Sequence, residues 1–302
     1  CMNQQLKSRP SQIFVWTIYH FYKSTIMNFI ANQILTIIFL LFFSASFSQT
    51  AMSDSLRGEF TYLLQYKPNT INRDYVNKEL FSLQISDRRA FFISENRLKF
   101  DSIFTVQFNN QKNNTFNVDM RGLPPTKFKF LIIQTNNNLQ FYEAAGMTLL
   151  TYNSPVINNW KLIDETKVIN SIVCKKAEIS YKGREWIAWY STEIPFPYGP
   201  YKFSGLPGLI VKITDKTGDY DFELVKSVSS SNLKGKLVRM NKARYHNAKL
   251  VTKKELTQAI ISAKENTKYE LERTGTVFSE DQKKQKINET DKKGYNPIEL
   301  ED

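Results

Sequence analysis

After residue 48 the chain carries one histidine, His246 in ARYHNAKLV, and one cysteine, Cys174 in SIVCKKAEI. Nucleophilic catalysis usually recruits a base, most often an imidazole, beside its nucleophile. His246 has no second His or Cys near it in sequence, so no zinc site is spelled out. It reads as a surface or capping histidine, and no metal or other cofactor is expected. Cys174 lies between apolar and basic residues with no activating partner, which fits a buried structural thiol. A lone cysteine leaves no intrachain disulfide and no stable disulfide partner. Four acids gather in DKTGDYDFE: Asp215, Asp219, Asp221 and Glu223. An EF-hand calcium loop places its glycine and its last glutamate elsewhere, so these acids read as a solvated hairpin tip. Asp164-Glu165 read as a turn before a strand. A catalytic carboxylate pair stays open, because the separation of two carboxylates in space is invisible in sequence.

Residues 199–213, GPYKFSGLPGLIVKI, pose the sharper question. Gly199-Pro200, then Gly205-Leu206-Pro207-Gly208-Leu209-Ile210, put turn formers among residues that favour burial. A phosphate loop would need Gly-Lys-Ser/Thr at its end, or G-x-G-x-x-G opening a helix. Neither occurs, and proline removes an amide that a cradle would use. Pro207 and Gly208 suit the two central positions of a type II turn, the second of which needs a positive φ. The stretch reads as a corner that feeds a strand. Upstream, Trp186, Ala188 and Tyr190 share one strand face, while Ile187 and Trp189 share the other. Large apolar residues on both faces predict a strand covered on both sides. Aromatics grouped at a proline-rich corner either line a pocket or belong to a core, and core is the weightier of the two. On the pocket reading Trp186, Trp189, Tyr190 and Phe203 are the ligand-binding residues. No residue is assigned a catalytic role.

The elements that would position these residues are mostly strands. EFTYLLQY (59–66) alternates and stops at Pro68, and RAFFISEN (89–96) is short and rich in strand formers. KFKFLIIQT and LQFYEAA flank an Asn run, REWIAWYS follows VCKKAEISY across Lys182-Gly183, and DYDFELVKSV follows LIVKITD across KTG. Such pairs predict hairpins. Residues 57–240 then hold roughly eight to ten strands in a largely antiparallel sheet. One helix is clear, over 252–273. Thr252 and Glu255 form a capping box, and Leu256, Ala259, Ile260, Ala263 and Leu271 share a face. The Asn-rich stretch 109–117 reads as a loop, and 279–302 as a charged tail.

The 302-residue chain is 41% hydrophobic with a net charge of +12. The charge is spread singly and beside acids, which predicts a solvated surface rather than a nucleic-acid partner. The apolar run ILTIIFLLFF (34–43) is too short to span a bilayer. With SASFSQ after it, it has the form of a signal peptide over 27–48, cleaved after Ser48. Residues 1–26 read as an extension outside the mature protein, with Met2 and Met27 both open as starts. The mature domain is expected over 49–278.

The segments GPYKFSGLPGLI, YNSPVINNWKLIDETKVINSIVCKKA, YKGREWIAWYSTEIPF and YNPIEL resemble the motifs of the GLPGLI family, over roughly residues 56–300. The resemblance implies an exported protein of a diderm bacterium, of a kind often encoded near TonB-dependent outer-membrane receptors. It implies no catalytic residues. The expected fold is a single curved, largely antiparallel sheet packed on a C-terminal helix, on the half-barrel pattern of the lipoprotein carriers. The expected function is non-enzymatic: a periplasmic or outer-membrane protein that binds an amphipathic ligand or a receptor partner. A carboxylate-based envelope hydrolase is the alternative, and a purely structural envelope component a third.

Overall fold

The computed structural model describes Lys23 and residues 32–34, 54–109, 122–273 and 293–301. The chain divides into two compact units, Cys1–Ser53 and Asp54–Asp302. The signal segment expected over 27–48 and the loop over 110–117 lie outside the described residues, apart from 32–34.

In the second unit the strands are β1 (Gly58–Tyr66), β2 (Asn77–Ile85) and β3 (Ala90–Ser94), followed by helix α1 (Glu95–Asn109). Then come β4 (Leu131–Gln134), β5 (Leu139–Ala145), β6 (Thr148–Ser154), β7 (Lys161–Ile169), β8 (Ile172–Tyr181), β9 (Arg184–Ser191), β10 (Leu209–Asp215) and β11 (Tyr220–Ser227). A four-residue helix α2 (Ser230–Leu233), a 3₁₀ turn (Lys242–Arg244), β12 (Lys249–Leu250) and helix α3 (Lys253–Arg273) complete the order. Among the described residues the twelve strands form one sheet, β12-β6-β5-β4-β3-β2-β1-β11-β10-β9-β8-β7. It is two antiparallel meanders, β1–β6 and β7–β11, joined where β1 pairs with β11. The short β12 pairs in parallel, with β6. The sheet is open and curved, as expected, and does not close into a barrel.

Period-two patterning builds the inner face. Phe60, Tyr62, Leu64 and Tyr66 of β1 point to the main core, as alternate residues of a strand must. Trp186, Ala188 and Tyr190 of β9 join the same core. The strands covered on both faces are β3, β4 and the second half of β2, whereas β9 keeps a partly exposed outer face. Phe92 and Ile132 face the main core, whereas Phe91, Ile93, Leu131 and Ile133 face a second cluster with Leu98, Val238, Met240 and Tyr245. The cover on that side is α1 and the segment around the 3₁₀ turn, clamped by Arg244 to the Asp101 carboxylate. Helix α1 is not apparent in the sequence. Its β-branched and aromatic residues (Ile103, Phe104, Thr105, Val106) carry strand propensity, and packing on β2 and β3 overrides it. The local signal is Ser94, whose hydroxyl accepts the Arg97 amide at 3.3 Å, with Glu95 in the first turn, as a helix start favours.

The hairpin at Lys182-Gly183 has φ of +51° and +75°, the primed turn that matches strand twist. The capping box of α3 is formed. Thr252 N–H donates to Glu255 Oε2 at 2.7 Å, and Glu255 N–H to Thr252 Oγ1 at 3.2 Å. Asp164 and Glu165 do not precede a strand; they fall inside β7, where the pairing register shifts between Ile163 and Thr166.

Candidate functional site

The GPYKFSGLPGLI segment is a corner whose glycines are demanded by contact. A Cβ on Gly208 would lie 2.0 Å from the Ser191 carbonyl oxygen, and one on Gly205 would lie 2.4 Å from that of Ile157. Both have positive φ, +153° and +89°. The turn is tighter than type II. Gly208 N–H donates to Leu206 O at 2.8 Å, and Leu209 N–H is taken by Ile194 O at 3.0 Å. This is a three-residue turn centred on Pro207, whose fixed φ is close to that of an inverse γ-turn. Leu209 and Ile210 then enter β10, and Tyr62 O–H donates to Ile210 O at 2.6 Å, next to the bulge between Ile210 and Lys212.

The first half of the corner bridges the two halves of the sheet. Tyr201 has a φ of +55°, a costly conformation for a bulky residue. Gln134 of β4 donates to its carbonyl at 2.5 Å. The turn delivers Lys202 into the interior, where its side chain is 1% exposed. Lys202 Nζ donates to Tyr152 O–H of β6 at 2.9 Å and to Glu299 Oε1 at 2.5 Å. It lies 5.1–5.4 Å from the ring centroids of Phe141, Tyr152 and Tyr201. Tyr201 O–H donates to the same Glu299 oxygen at 2.8 Å, and Lys253 Nζ is 3.0 Å from Oε2. Burial alone would raise the Glu299 carboxyl, but Lys202 and Lys253 outweigh it and hold the group below its ordinary range. Burial lowers Lys202 against the pull of Glu299. With both oxygens of Glu299 held by cations, the direction that stands is an ionised pair.

Glu299 belongs to a C-terminal strap. Arg184 at the head of β9 donates to Asn296 Oδ1 at 2.5 Å, Pro297 O at 2.6 Å and Ile298 O at 3.1 Å. Tyr220 O–H donates to Asn296 O at 2.6 Å. The YNPIEL residues thus run across the sheet end as part of the domain, although the sequence places them in a charged tail.

Between strap, sheet and α3 lies a cavity of about 550 Å³. Its sheet-side wall is aromatic. Phe130 lies 5.0 Å from Phe141, Phe141 stacks 5.0 Å from Tyr152, and Phe128 meets Tyr66 edge-on at 5.2 Å. Leu256, Ile260 and Ile261 of α3 line the opposite wall. Lys127, Lys253 and Lys264 also line it, and so do Glu143 and Glu299. Burial raises the Glu143 carboxyl above its ordinary value, opposed by Lys129, Lys264 and Arg97. The volume and the few convergent polar groups suit a small amphipathic ligand.

The four aromatics expected at a pocket are divided. Trp186 and Phe203 are fully buried, 4.6 Å apart, and the Trp186 indole N–H donates to Tyr181 O at 3.2 Å. Tyr190 is buried in the same core. Trp189 projects from the other face, with Lys167 and Lys176 Nζ at 5.8 and 6.0 Å from its ring. None of the four lines the cavity beneath α3. The acids expected at a solvated tip differ too. Asp215 and Asp219 are buried, and Asp215 accepts the amides of Asp219 and Tyr220, each at 2.8 Å. His246 is exposed. The Cys174 thiol is buried and pushed up to about 11 by desolvation. Among the described residues no group of three or more His, Cys, Asp or Glu is placed to hold a metal ion.

Sequence reasoning missed Lys202, Glu143 and Glu299. The available signal was a lysine inside an otherwise apolar corner and a glutamate inside YNPIEL.

Two structures of PNGF-II, in space groups C2 and P21, align with the chain at TM-scores of 0.45 and 0.43 and identities of 12% and 14%. They cover 68% of this chain, which spans only about a third (33% and 34%) of theirs. An uncharacterised conserved protein from Thermus thermophilus aligns at a TM-score of 0.30 and 12% identity, over 65% of this chain and 91% of its own. No curated protein matches. Residues 178–212, which hold Arg184, Lys202 and the whole glycine corner, match the family model described as a protein of unknown function, Porph_ging.

Proposed function

We propose that the protein is an exported cell-envelope binding protein that takes an amphipathic ligand into the cavity beneath α3, without catalysing a reaction. The observation that carries this reading is the pairing of a continuous aromatic wall with lysines around one cavity of about 550 Å³. Apolar burial is worth about 25 cal/mol per Å², so a few ring contacts hold an alkyl chain while a lysine meets the head. The resemblance of the corner and its flanks to GLPGLI proteins supports export, with a mature start near Gln49. It also supports a TonB-dependent receptor as the partner that delivers or collects the ligand.

Calorimetric titration of the mature protein with a short-chain amphiphile below its micellar concentration tests the reading. Saturable binding is expected, and Ile260→Trp, which fills the cavity from the helix side, should abolish it while circular dichroism stays unchanged. Absence of saturable binding, or binding indifferent to Ile260→Trp, overturns the proposal.

One observation favours the hydrolase as a second reading. Glu143 and Glu299 line the same cavity, with carboxyl pKa values pushed in opposite directions, the arrangement that separates an acid from a base. It ranks second because both oxygens of Glu299 are already engaged by Lys202, Tyr201 and Lys253. Turnover abolished by Glu143→Gln would promote it.

A further inference from the structure

Glu299 is bound as a ligand would be bound. Its carboxylate sits in a pocket made by other segments: Lys202 and Tyr201 from the glycine corner and Lys253 from the first turn of α3. Three donors meet two oxygens. Tyr201 holds a φ of +55°, a strained conformation that aims its hydroxyl and the next side chain at one point. The strap around it is anchored independently, since Arg184 and Tyr220 hold residues 296–298 and not the Glu299 side chain. The carboxylate can therefore leave without undocking the strap. Glu299 also lines the aromatic cavity, beside Tyr152 and Tyr201.

We propose that Lys202, Lys253 and Tyr201 form a carboxylate-binding site that the chain's own Glu299 occupies in the empty protein. The ligand is then a single-chain amphiphile with a carboxylate head. Its tail lies along Phe130, Phe141 and Tyr152, and its head displaces Glu299 from the two lysines. This rests on the binding reading of the cavity and adds the head group and its internal competitor. The physical logic is exchange. An uncompensated Lys202 in the interior is costly, so an empty site needs an anion, and Glu299 supplies one until a ligand brings its own. An internal occupant lowers apparent affinity by the fraction of time the site is filled.

The test compares decanoate, 1-decanol and decyl phosphate, by calorimetry, on wild type and Glu299→Gln. Removing the competitor should tighten decanoate by about tenfold or more, leave 1-decanol within about twofold, and help decyl phosphate less than decanoate. At equal saturation decanoate should also raise the melting temperature of the variant more than 1-decanol does, because it restores the missing anion as well as filling the cavity. If 1-decanol binds and Glu299→Gln leaves decanoate unchanged or weaker, the head-group assignment is wrong while the cavity reading stands. An equal gain for decyl phosphate overturns the carboxylate assignment. If no amphiphile binds either protein, both readings fall. Should Glu299→Gln not fold, Glu299→Asp replaces it. Its shorter carboxylate holds the two lysines less well, so decanoate should tighten by about threefold or more while 1-decanol stays within about twofold, and equal changes for the two overturn the assignment.

Discussion

Arg184 Nη1 lies 2.8 Å from Asp215 Oδ2, and both side chains are buried. The pair joins the start of β9 to the end of β10 and is the fixed point on which the C-terminal strap is hung. The remaining guanidinium donors go to Asn296, Pro297 and Ile298, a use of the planar fork that an ammonium cannot reproduce. Arg184→Lys keeps the charge but loses the strap contacts. It should cost at least about 3 kcal/mol, since three hydrogen bonds from a charged group are lost and each is worth about 1.5–3 kcal/mol. Urea denaturation measures the loss. Limited proteolysis should cut the variant within 293–301 sooner than wild type, and an unchanged cleavage rate would show that Arg184 does not hold the strap.

The glycine corner makes a quantitative claim. Gly208→Ala must accommodate both a disallowed φ and a carbonyl oxygen 2.0 Å away. Strain of about 1–3 kcal/mol and overpacking of similar size together exceed the cost of the turn alone. Gly218 in the β10–β11 hairpin has a φ of +66° with open space around it, so Gly218→Ala should lose only about 1 kcal/mol. Equal melting temperatures for the two variants would mean that contact with Ser191 is not what requires glycine at 208.

Hairpins, capping box and corner were legible because each rests on local rules: paired alternation, a Thr-x-x-Glu spacing, glycine and proline chemistry. Lys182-Gly183 and Thr252/Glu255 need no tertiary information. The candidate site was not legible, because it joins residues from distant parts of the chain. Lys202 meets Tyr152 of β6 and Glu299 of the strap only after the sheet curls, and nothing near position 202 announces a partner 97 residues away. Asp215 and Asp219 looked solvated for the same reason, since Arg184 and Arg73 reach them from other elements. The Trp186–Trp189 strand was half legible. Its alternation is correct, but which face meets a core, and which a cavity, depends on what packs there.

That division gives the third prediction. Trp186 is fully enclosed, so Trp186→Ala should cost roughly 3–5 kcal/mol. Trp189 is half-buried on the other face, under two lysines, so Trp189→Ala should lose only about 1–2 kcal/mol. Urea midpoints compared at constant m-value report both. A Trp189 variant as unstable as the Trp186 variant would mean that the outer face of β9 is packed as tightly as the inner.

Glu143 offers a test in which the sign of the pH dependence carries the information. It stands on β5 in the cavity wall, and burial raises its carboxyl above the ordinary glutamate value of about 4.3. Lys129, Lys264 and Arg97 face it and limit the effect without reversing it. Below the unfolded value both states carry the proton, and the group contributes no pH dependence. Between the unfolded and folded values the folded state holds a proton that the unfolded chain has lost, so stability falls as pH rises through that window. Above the folded value the full penalty persists. Glu143→Gln removes the titration and keeps the shape. The variant should therefore melt above wild type at pH 7, and the difference should shrink on acidification to about pH 4. Glu299 is shifted in the opposite direction, so its ionised form stabilises the fold above the unfolded value and that contribution is lost as pH falls through its lowered folded pKa. Melting curves of wild type, Glu143→Gln and Glu299→Gln across the acidic range separate the two carboxylates. A Glu143→Gln variant less stable than wild type at pH 7 would mean that the ionised carboxylate has a partner in the cavity strong enough to reverse the burial penalty, which would remove the raised acid that the hydrolase reading needs beside Glu299.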